Sequence, residues 1–455
     1  AEMDPRNRCV IVMVTLICCC YIIASYLTPS FVDEGVGYAK GNRSRMMAVV
    51  KLVLTSSLFS LFAYFRLMTF MDVSDEVSMR QKRLPTNSFN YVSRYIVAVC
   101  IIVWLLLAQM AYPLYWAGRP VQNILFDVSL IALGVWNYVV AILFALFCIS
   151  IAINLISRLS SGRTFMKIVY RWSFLRWLFG DPRAQVVFSV VVGVSLSLIT
   201  FLCCNMLIVK EQTFNIRDLP KEADGIRFAL ISDVHAGGAV EEEHVAKIVD
   251  RVNSEAVDAI FLVGDLVDSP RADIWRRLRP IKHLKSKFGS FYVTGNHEYY
   301  YGNALEWIEQ FKTFGVNVLE NRSYNISGIC IAGVNDYSSG RSGIEGHKFD
   351  AVVALRGCDQ SAPVIVLSHN PASAKDITFN RENLRVDLIL SGHTHVGQFY
   401  TIAPLAFLML PYFYGTYQIS PYTRLFVSAG TLYQGPPMKM LAMSQIWIIK
   451  LKLSA

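Results

Sequence analysis

Charge is scarce in this chain, and the shortage is uneven. Asp, Glu, Lys and Arg supply 17% of the 455 residues against 54% hydrophobic, below the roughly 25% charged of common soluble domains. The deficit sits in long uncharged runs before about residue 210, which excludes a single uniform water-soluble fold. Zinc-type cysteine spacing is also missing, so no structural zinc module is expected. Eight of the ten cysteines lie in or beside the apolar runs, where cysteine serves as a small buried apolar residue or a palmitoylation site. Only Cys330 and Cys358 fall elsewhere, and the sequence leaves open whether they pair. A net charge of +9 raises the question of nucleic acid. The basic residues, however, flank the apolar runs, where they orient a membrane protein, so no nucleic-acid binding is expected.

What is present before residue 210 is membrane-like. A bilayer crossing needs about 20 apolar residues, and 10–27, 46–71, 96–116, 128–156 and 186–209 qualify. They predict an N-terminal all-α transmembrane bundle of about five spans over 1–209. Lys51 and Arg66 fall near the ends of the second stretch, where long basic side chains can snorkel to the interface. None of Lys51, Arg66, Pro113 in the third stretch and Asn137 in the fourth resembles an ion or proton pathway. Arg6 and Arg8 before the first run also suit a signal peptide, but the length of the run and the bulky Tyr21, Tyr26 and Leu27 favour a retained anchor. The mixed aromatic and basic stretch 164–179 reads as an interfacial loop or short helix.

With five spans, the N-terminus and the 72–95 and 157–185 loops share one side and carry twelve Lys and Arg, against seven on the other. The positive-inside rule puts the C-terminal half on the luminal or extracellular side. Three glycosylation sequons, at Asn42, Asn321 and Asn325, fall on that same side and read as glycoprotein sites.

After a linker expected over 210–224, the texture of 225–455 changes to short apolar runs separated by turn signals. The runs 227–232, 259–263, 290–294, 329–334, 363–367, 386–390 and 425–428 read as buried strands, with helical patterns at 241–253 and 273–287. This is an α/β domain. Chemistry-bearing residues follow the strands at once: Asp233-Val-His235, Gly264-Asp265, Gly295-Asn296-His297-Glu298, His369, then Gly392-His393-Thr-His395. A lone His or Asp after a strand is usually a cap or turn residue. Here all eight histidines of the chain lie in this half and five occupy strand ends, whereas His244, His283 and His347 read as plain surface or packing residues. Loops at the carboxyl ends of strands aim at one crevice. Mixed His, Asp and Asn donors suit divalent Mn, Fe or Zn. Two such ions can clamp a phosphoryl group, and a hydroxide held between them is a nucleophile near neutral pH.

In these residues the chain resembles the calcineurin-like metallophosphoesterases, whose motifs D-x-H, GD, GNH[DE], H and GHxH all occur in order. The resemblance implies a two-sheet β-sandwich flanked by helices. It implies Asp233, His235, Asp265 and His395 around one metal, and Asp265, Asn296, His369 and His393 around the other. It gives His297 the task of protonating the leaving oxygen or stabilising the transition state. Val396 departs from the glycine common at its position in relatives.

Two further stretches bear on substrate. The uncharged 399–417 reads as either a buried strand and loop or a hydrophobic rim dipping toward the membrane. The basic residues of 273–287 read as a solvated helix face, with anionic lipid as the alternative. The expected protein is a membrane-anchored two-metal hydrolase of phosphate mono- or diesters, with a lipid-linked substrate first and a soluble nucleotide or sugar phosphate second. A receptor or scaffold that has lost catalysis is the reading of another class.

Overall fold

The computed structural model describes residues 50–69, 88–116, 124–159, 170–301 and 304–454. The expected first span, 10–27, and Asn42 lie outside these residues, as does most of the 72–95 loop. The chain divides into two compact units, the first within 47–113 and 128–199, the second running from Thr200 to Ala455 and taking in 114–127.

Four helices among the described residues are long and apolar enough to cross a membrane: α1 (Val50–Thr69), α2 (Ser88–Trp116), α3 (Ile124–Ile156) and, after the eight-residue α4 (Ser173–Gly180), α5 (Pro182–Cys203). They match the last four stretches expected from sequence. With lipid outside, helices gain contact through small residues. Gly193 of α5 does this, since a Cβ there would lie 2.7 Å from the Val139 side chain of α3. Arg66 corrects the expectation of snorkelling: it is 6% exposed, and its Nη2 donates to Gln185 Oε1 at 2.7 Å. A buried guanidinium needs such a partner, and α5 supplies it.

The second unit holds two six-stranded sheets. In the first the order is β1 (Ile208–Ile216), β12 (Gln445–Leu453), β2 (Arg227–Ile231), β3 (Ala259–Val263), β4 (Ser290–Val293) and β5 (Asn317–Val318). In the second it is β10 (Gly415–Gln418), β11 (Arg424–Val427), β9 (Leu388–Ser391), β8 (Val364–Leu367), β7 (Ile329–Gly333) and β6 (Arg322–Ile326). β2 to β5 run parallel, as do β7, β8, β9 and β11. Parallel strands are buried on both faces, which is why all seven strands expected from sequence read as continuous apolar runs. Phe228, Phe261 and Phe291 of one sheet meet Ile331, Ile365, Leu388 and Phe426 of the other in a shared core. Each fully buried side chain of this kind contributes roughly 1.5–3 kcal/mol. Helices α6 (Glu242–Asn253) and α7 (Ala304–Thr313) cover the outer face of the first sheet, and α8 (Ala351–Arg356) covers that of the second.

Three expectations are corrected here. The linker 210–224 contains most of β1, which pairs with β12 and so belongs to the sheet. The helix expected over 273–287 is one short α-turn followed by a 3-10 segment, Trp275–His283. Pro280 inside it has no N–H to carry an α-helix forward. Its basic side chains are not simply solvated either, since Arg277 pairs with Glu241 at 2.9 Å and Arg279 with Glu242 at 3.0 Å. Finally, 399–417 is not one buried strand: Ala403–Met409 is a seven-residue helix, α9, with no buried residue, and Gly415–Tyr417 opens the half-exposed edge strand β10.

Candidate metal centre

Every motif residue sits just past the carboxyl end of a strand. Asp233 and His235 follow β2, Asp265 follows β3, Asn296 and His297 follow β4, His369 follows β8, and His393 and His395 follow β9. The turns that aim them are tight. Asp233, His235, Asp265, His393 and His395 have φ of 55°, 52°, 51°, 75° and 48°. Left-handed backbone costs a side-chain-bearing residue about 1–2 kcal/mol, and such strain gathers where a site needs it. Val396, at φ 54°, shows why glycine suits its position, because a β-branched residue is least at ease there. The motif glycines serve close approach instead. A Cβ on Gly295 would stand 2.2 Å from Asp265 Oδ1, and one on Gly392 2.3 Å from Asp233 Oδ2.

The ligand atoms of Asp233, His235 and His395 lie within 4.8 Å of one another, as do those of Asp265, His369 and His393. A third set, His235, Asp265 and His297, overlaps both. Asp265 Oδ2 stands 3.1 Å from His369 Nε2 and 3.9 Å from both His235 Nε2 and His297 Nε2. Burial alone would push the Asp265 carboxyl up, but the imidazoles of His369 and His297, with His235, hold it well below the usual carboxylate range. Burial likewise opposes a charge on His369, yet Asp265 holds it well above the usual imidazole value. His395 goes the other way, pushed well down by burial and then by His235.

The buried side-chain atoms without a hydrogen-bond partner include three from the nominated ligands: Asn296 Oδ1, His395 Nδ1, and His369 Nε2, which has only the Asp265 carboxylate 3.1 Å away. An unsatisfied buried polar atom costs about 1–3 kcal/mol. All three belong to residues that the sequence nominates as ligands, and two divalent cations would satisfy them. The residues present therefore fit the metal pair that the motifs imply. His369 is also set as metal-binding histidines are, because its Nδ1 meets the Val263 carbonyl at 2.8 Å and leaves Nε2 to face the centre.

The sequence reading missed the supports. Asp268 Oδ1 accepts from His235 Nδ1 at 2.9 Å and His297 Nδ1 at 2.5 Å. Burial would raise its carboxyl, but His235 and His297 hold it well down. An acid directly after the apolar pair Leu266-Val267, three residues past Asp265, was the available signal. Gln434 Nε2 lies 2.8 Å from His297 Nε2, so that ring is held at both nitrogens. Glu298 accepts from the backbone N–H groups of Asp265, Leu266 and Gly295, tying two motif loops together. Its carboxyl is pushed up to about 7 by burial and by Asp265. Lys439 is fully buried behind the centre, donating to the Gly430 and Leu432 carbonyls.

The sequons part company. Asn321 is buried, its Nδ2 donates to the Lys348 carbonyl at 2.7 Å, and its Oδ1 accepts from Asn335 and Asp350. The folded chain thus uses this amide internally. Asn325 is exposed on β6. Cys330 and Cys358 form a disulfide.

Comparison with known proteins bears on all of this. The family described as calcineurin-like phosphoesterase matches residues 226–397. A protein of Aquifex aeolicus described as an uncharacterized metallophosphoesterase is 31% identical over 250 residues, covering 54% of this chain and 91% of that protein. The chain belongs to the calcineurin-like metallophosphoesterases. Among other members, "Transmembrane protein with metallophosphoesterase domain" of Danio rerio is 36% identical over 244 residues, 52% of this chain and 55% of that protein. An uncharacterized metallophosphoesterase of Helicobacter pylori is 37% identical over 244 residues, covering 53% and 63% respectively. The chain spans about half the length of the vertebrate relatives it matches, at 55% and 54%.

Proposed function

We propose that this metallophosphoesterase is a membrane-anchored, two-metal hydrolase of phosphate mono- or diesters. The observation that carries the reading is the convergence of strand-end carboxylates and imidazoles around three buried donor atoms that lack hydrogen-bond partners. Asp233, His235, Asp265 and His395 would hold one cation and Asp265, Asn296, His369 and His393 the other, with the Asp265 carboxylate shared. Divalent Mn, Fe or Zn, when bound, supplies Lewis-acid charge to phosphoryl oxygens and makes water a better nucleophile. His297, its Nδ1 held by Asp268, would give a proton to the leaving oxygen from Nε2 once that oxygen displaces the Gln434 amide from it. Glu298 and the motif glycines keep the loops in register.

The catalytic domain is assigned to the luminal or extracellular side. The excess of Lys and Arg on the opposite side supports this. So do the exposed sequon at Asn325 and the Cys330–Cys358 disulfide, which suits an oxidising compartment. Because the same chain carries four bilayer-length apolar helices, a phosphoester borne on a lipid is the favoured substrate.

The test uses the full chain in detergent, stripped of metal and reloaded with Mn, Fe or Zn. Asp265→Asn is expected to lose both metals and all turnover. His297→Ala is expected to keep both metals yet hydrolyse esters with poor leaving groups about 10²–10⁴-fold more slowly. Unchanged hydrolysis in both variants would sink the catalytic reading. On sidedness, glycosidase should shift the wild-type band and leave Asn325→Gln unshifted at that site; cytoplasmic protease access to the domain would reverse the orientation.

A further inference from the structure

Between His395 and Arg424 no residue carries a formal charge, although these residues belong to a domain whose other loops are charged. At the centre of this stretch α9 presents Leu405, Phe407, Leu408 and Met409 at 57%, 63%, 80% and 72% exposure. Water-facing helices usually reverse that pattern, keeping apolar residues on one covered stripe. A contiguous exposed apolar surface of this kind marks a contact. Exposed Tyr400 adjoins it, and tyrosine is enriched at membrane–water interfaces, whereas Tyr412, Tyr414 and Tyr417 pack on the domain's own core.

Its surroundings say which contact. The last turn of α5, from Thr200, belongs to the same compact unit as the sheets. The strap 438–444 is stitched to it: Lys439 N donates to the Thr200 carbonyl at 3.3 Å and Ser444 Oγ to the Cys204 carbonyl at 2.5 Å. The same strap is stitched to the root of α9, since Met440 N donates to the Gln398 carbonyl at 3.0 Å and Leu441 N to Tyr400 Oη at 3.2 Å. Leu202 and Met206 at the helix exit and Leu441 on the strap are all exposed. The root of α9 is therefore tied, through one hydrogen-bonded strap that carries its own exposed Leu441, to the end of a bilayer-length helix. It is equally tied to the metal centre. The 395–397 turn packs against it so closely that a Cβ on Gly397 would lie 2.8 Å from Ala403 Cα, and Thr394 Oγ1 donates to the Phe413 carbonyl.

We propose that α9 and the adjoining Tyr400 lie in the headgroup and upper acyl region of the bilayer that holds α5, seating the mouth of the metal centre on the lipid surface. The occupant is a lipid surface, and the substrate this favours is a phosphoester whose lipid tail stays in that surface while its headgroup reaches His393, His395 and His297. This rests on the hydrolase reading above for the substrate, though not for the docking itself.

The test separates the two. The full chain is reconstituted in phosphatidylcholine vesicles containing a lipid with a diazirine in its acyl chain, irradiated, and mapped by mass spectrometry. Adducts are expected on 402–409 as well as on the spans, and none on Phe379, an equally exposed apolar residue elsewhere in the domain. Adducts confined to the spans overturn the proposal, as do crosslinks showing 402–409 covered by a second copy or another protein. A double variant, Leu408→Asp with Met409→Asp, is then assayed with metals restored on one headgroup carried by a long-chain lipid or a short soluble tail. Turnover of the embedded ester is expected to fall at least about tenfold, with the soluble ester within about twofold of wild type. Equal losses on both overturn the proposal. Should the wild type hydrolyse neither ester, the hydrolase reading fails, and the lipid adducts still decide the docking.

Discussion

Among the spanning helices, Arg66 is answered by one neutral amide, Gln185, and the other polar bridges are hydroxyls and amides strung along the bundle. Gln185 reaches Ser150, while Gln109 and Trp136 reach Ser60. In the catalytic domain three carboxylates (Asp233, Asp265, Asp268) and five imidazoles (His235, His297, His369, His393, His395) converge instead. There, three donor atoms of the nominated ligands are left without a hydrogen-bond partner. The first arrangement holds helices together where lipid gives them no hydrophobic reason to associate. The second gathers charge at a cost that bound cations would offset. Buried polarity thus has two uses in one chain, and they should respond differently to substitution.

The largest effect is expected at Gly295→Ala, whose Cβ would stand 2.2 Å from Asp265 Oδ1 and 2.4 Å from the Asp265 backbone nitrogen. Hydrolysis should vanish and metal content after gel filtration should drop, with the spanning helices intact by circular dichroism. Full metal occupancy in this variant would mean that the strand-end loops tolerate movement the comparison denies them. Asp268→Asn should follow, weakening metal affinity about 10–100-fold by releasing His235 and slowing turnover by releasing His297, as read by metal titration and kcat. Cys330→Ser should leave metal affinity unchanged and cost about 3 kcal/mol of domain stability, measured by denaturant unfolding. The smallest effect belongs to the spanning half. Arg66→Met should cost about 1 kcal/mol in detergent, and adding Gln185→Leu should return part of it, because an apolar pair leaves no amide stranded. A change in metal affinity from Arg66→Met would break the separation between the two uses.

The site was legible because its chemistry is local: each ligand candidate follows its strand at once, and buried parallel strands announce themselves as apolar runs. The supports were not legible in the same way. Asp268 and Glu298 act on groups 29 to 33 residues away, and Gln434 on one 137 residues away. Pro280 was visible in the sequence and should have ended the 273–287 helix, whereas nothing local distinguishes Asn321 from Asn325 until one amide is enclosed by Lys348, Asn335 and Asp350.

Hydrophobic run length, strand-end residue type and charge asymmetry are properties of short windows. They pointed to the spanning helices, the α/β domain and the candidate metal-site residues. Tertiary structure alone decided the rest. The carboxyl-terminal strand β12 inserts between β1 and β2. Arg66 finds Gln185 across 119 residues of chain. Within the uncharged stretch after His395, residues 403–409 stay outside as α9 rather than folding into the core. Each outcome depends on which distant surface is left to cover a given side chain, and that is settled only when the sheets and helices have packed.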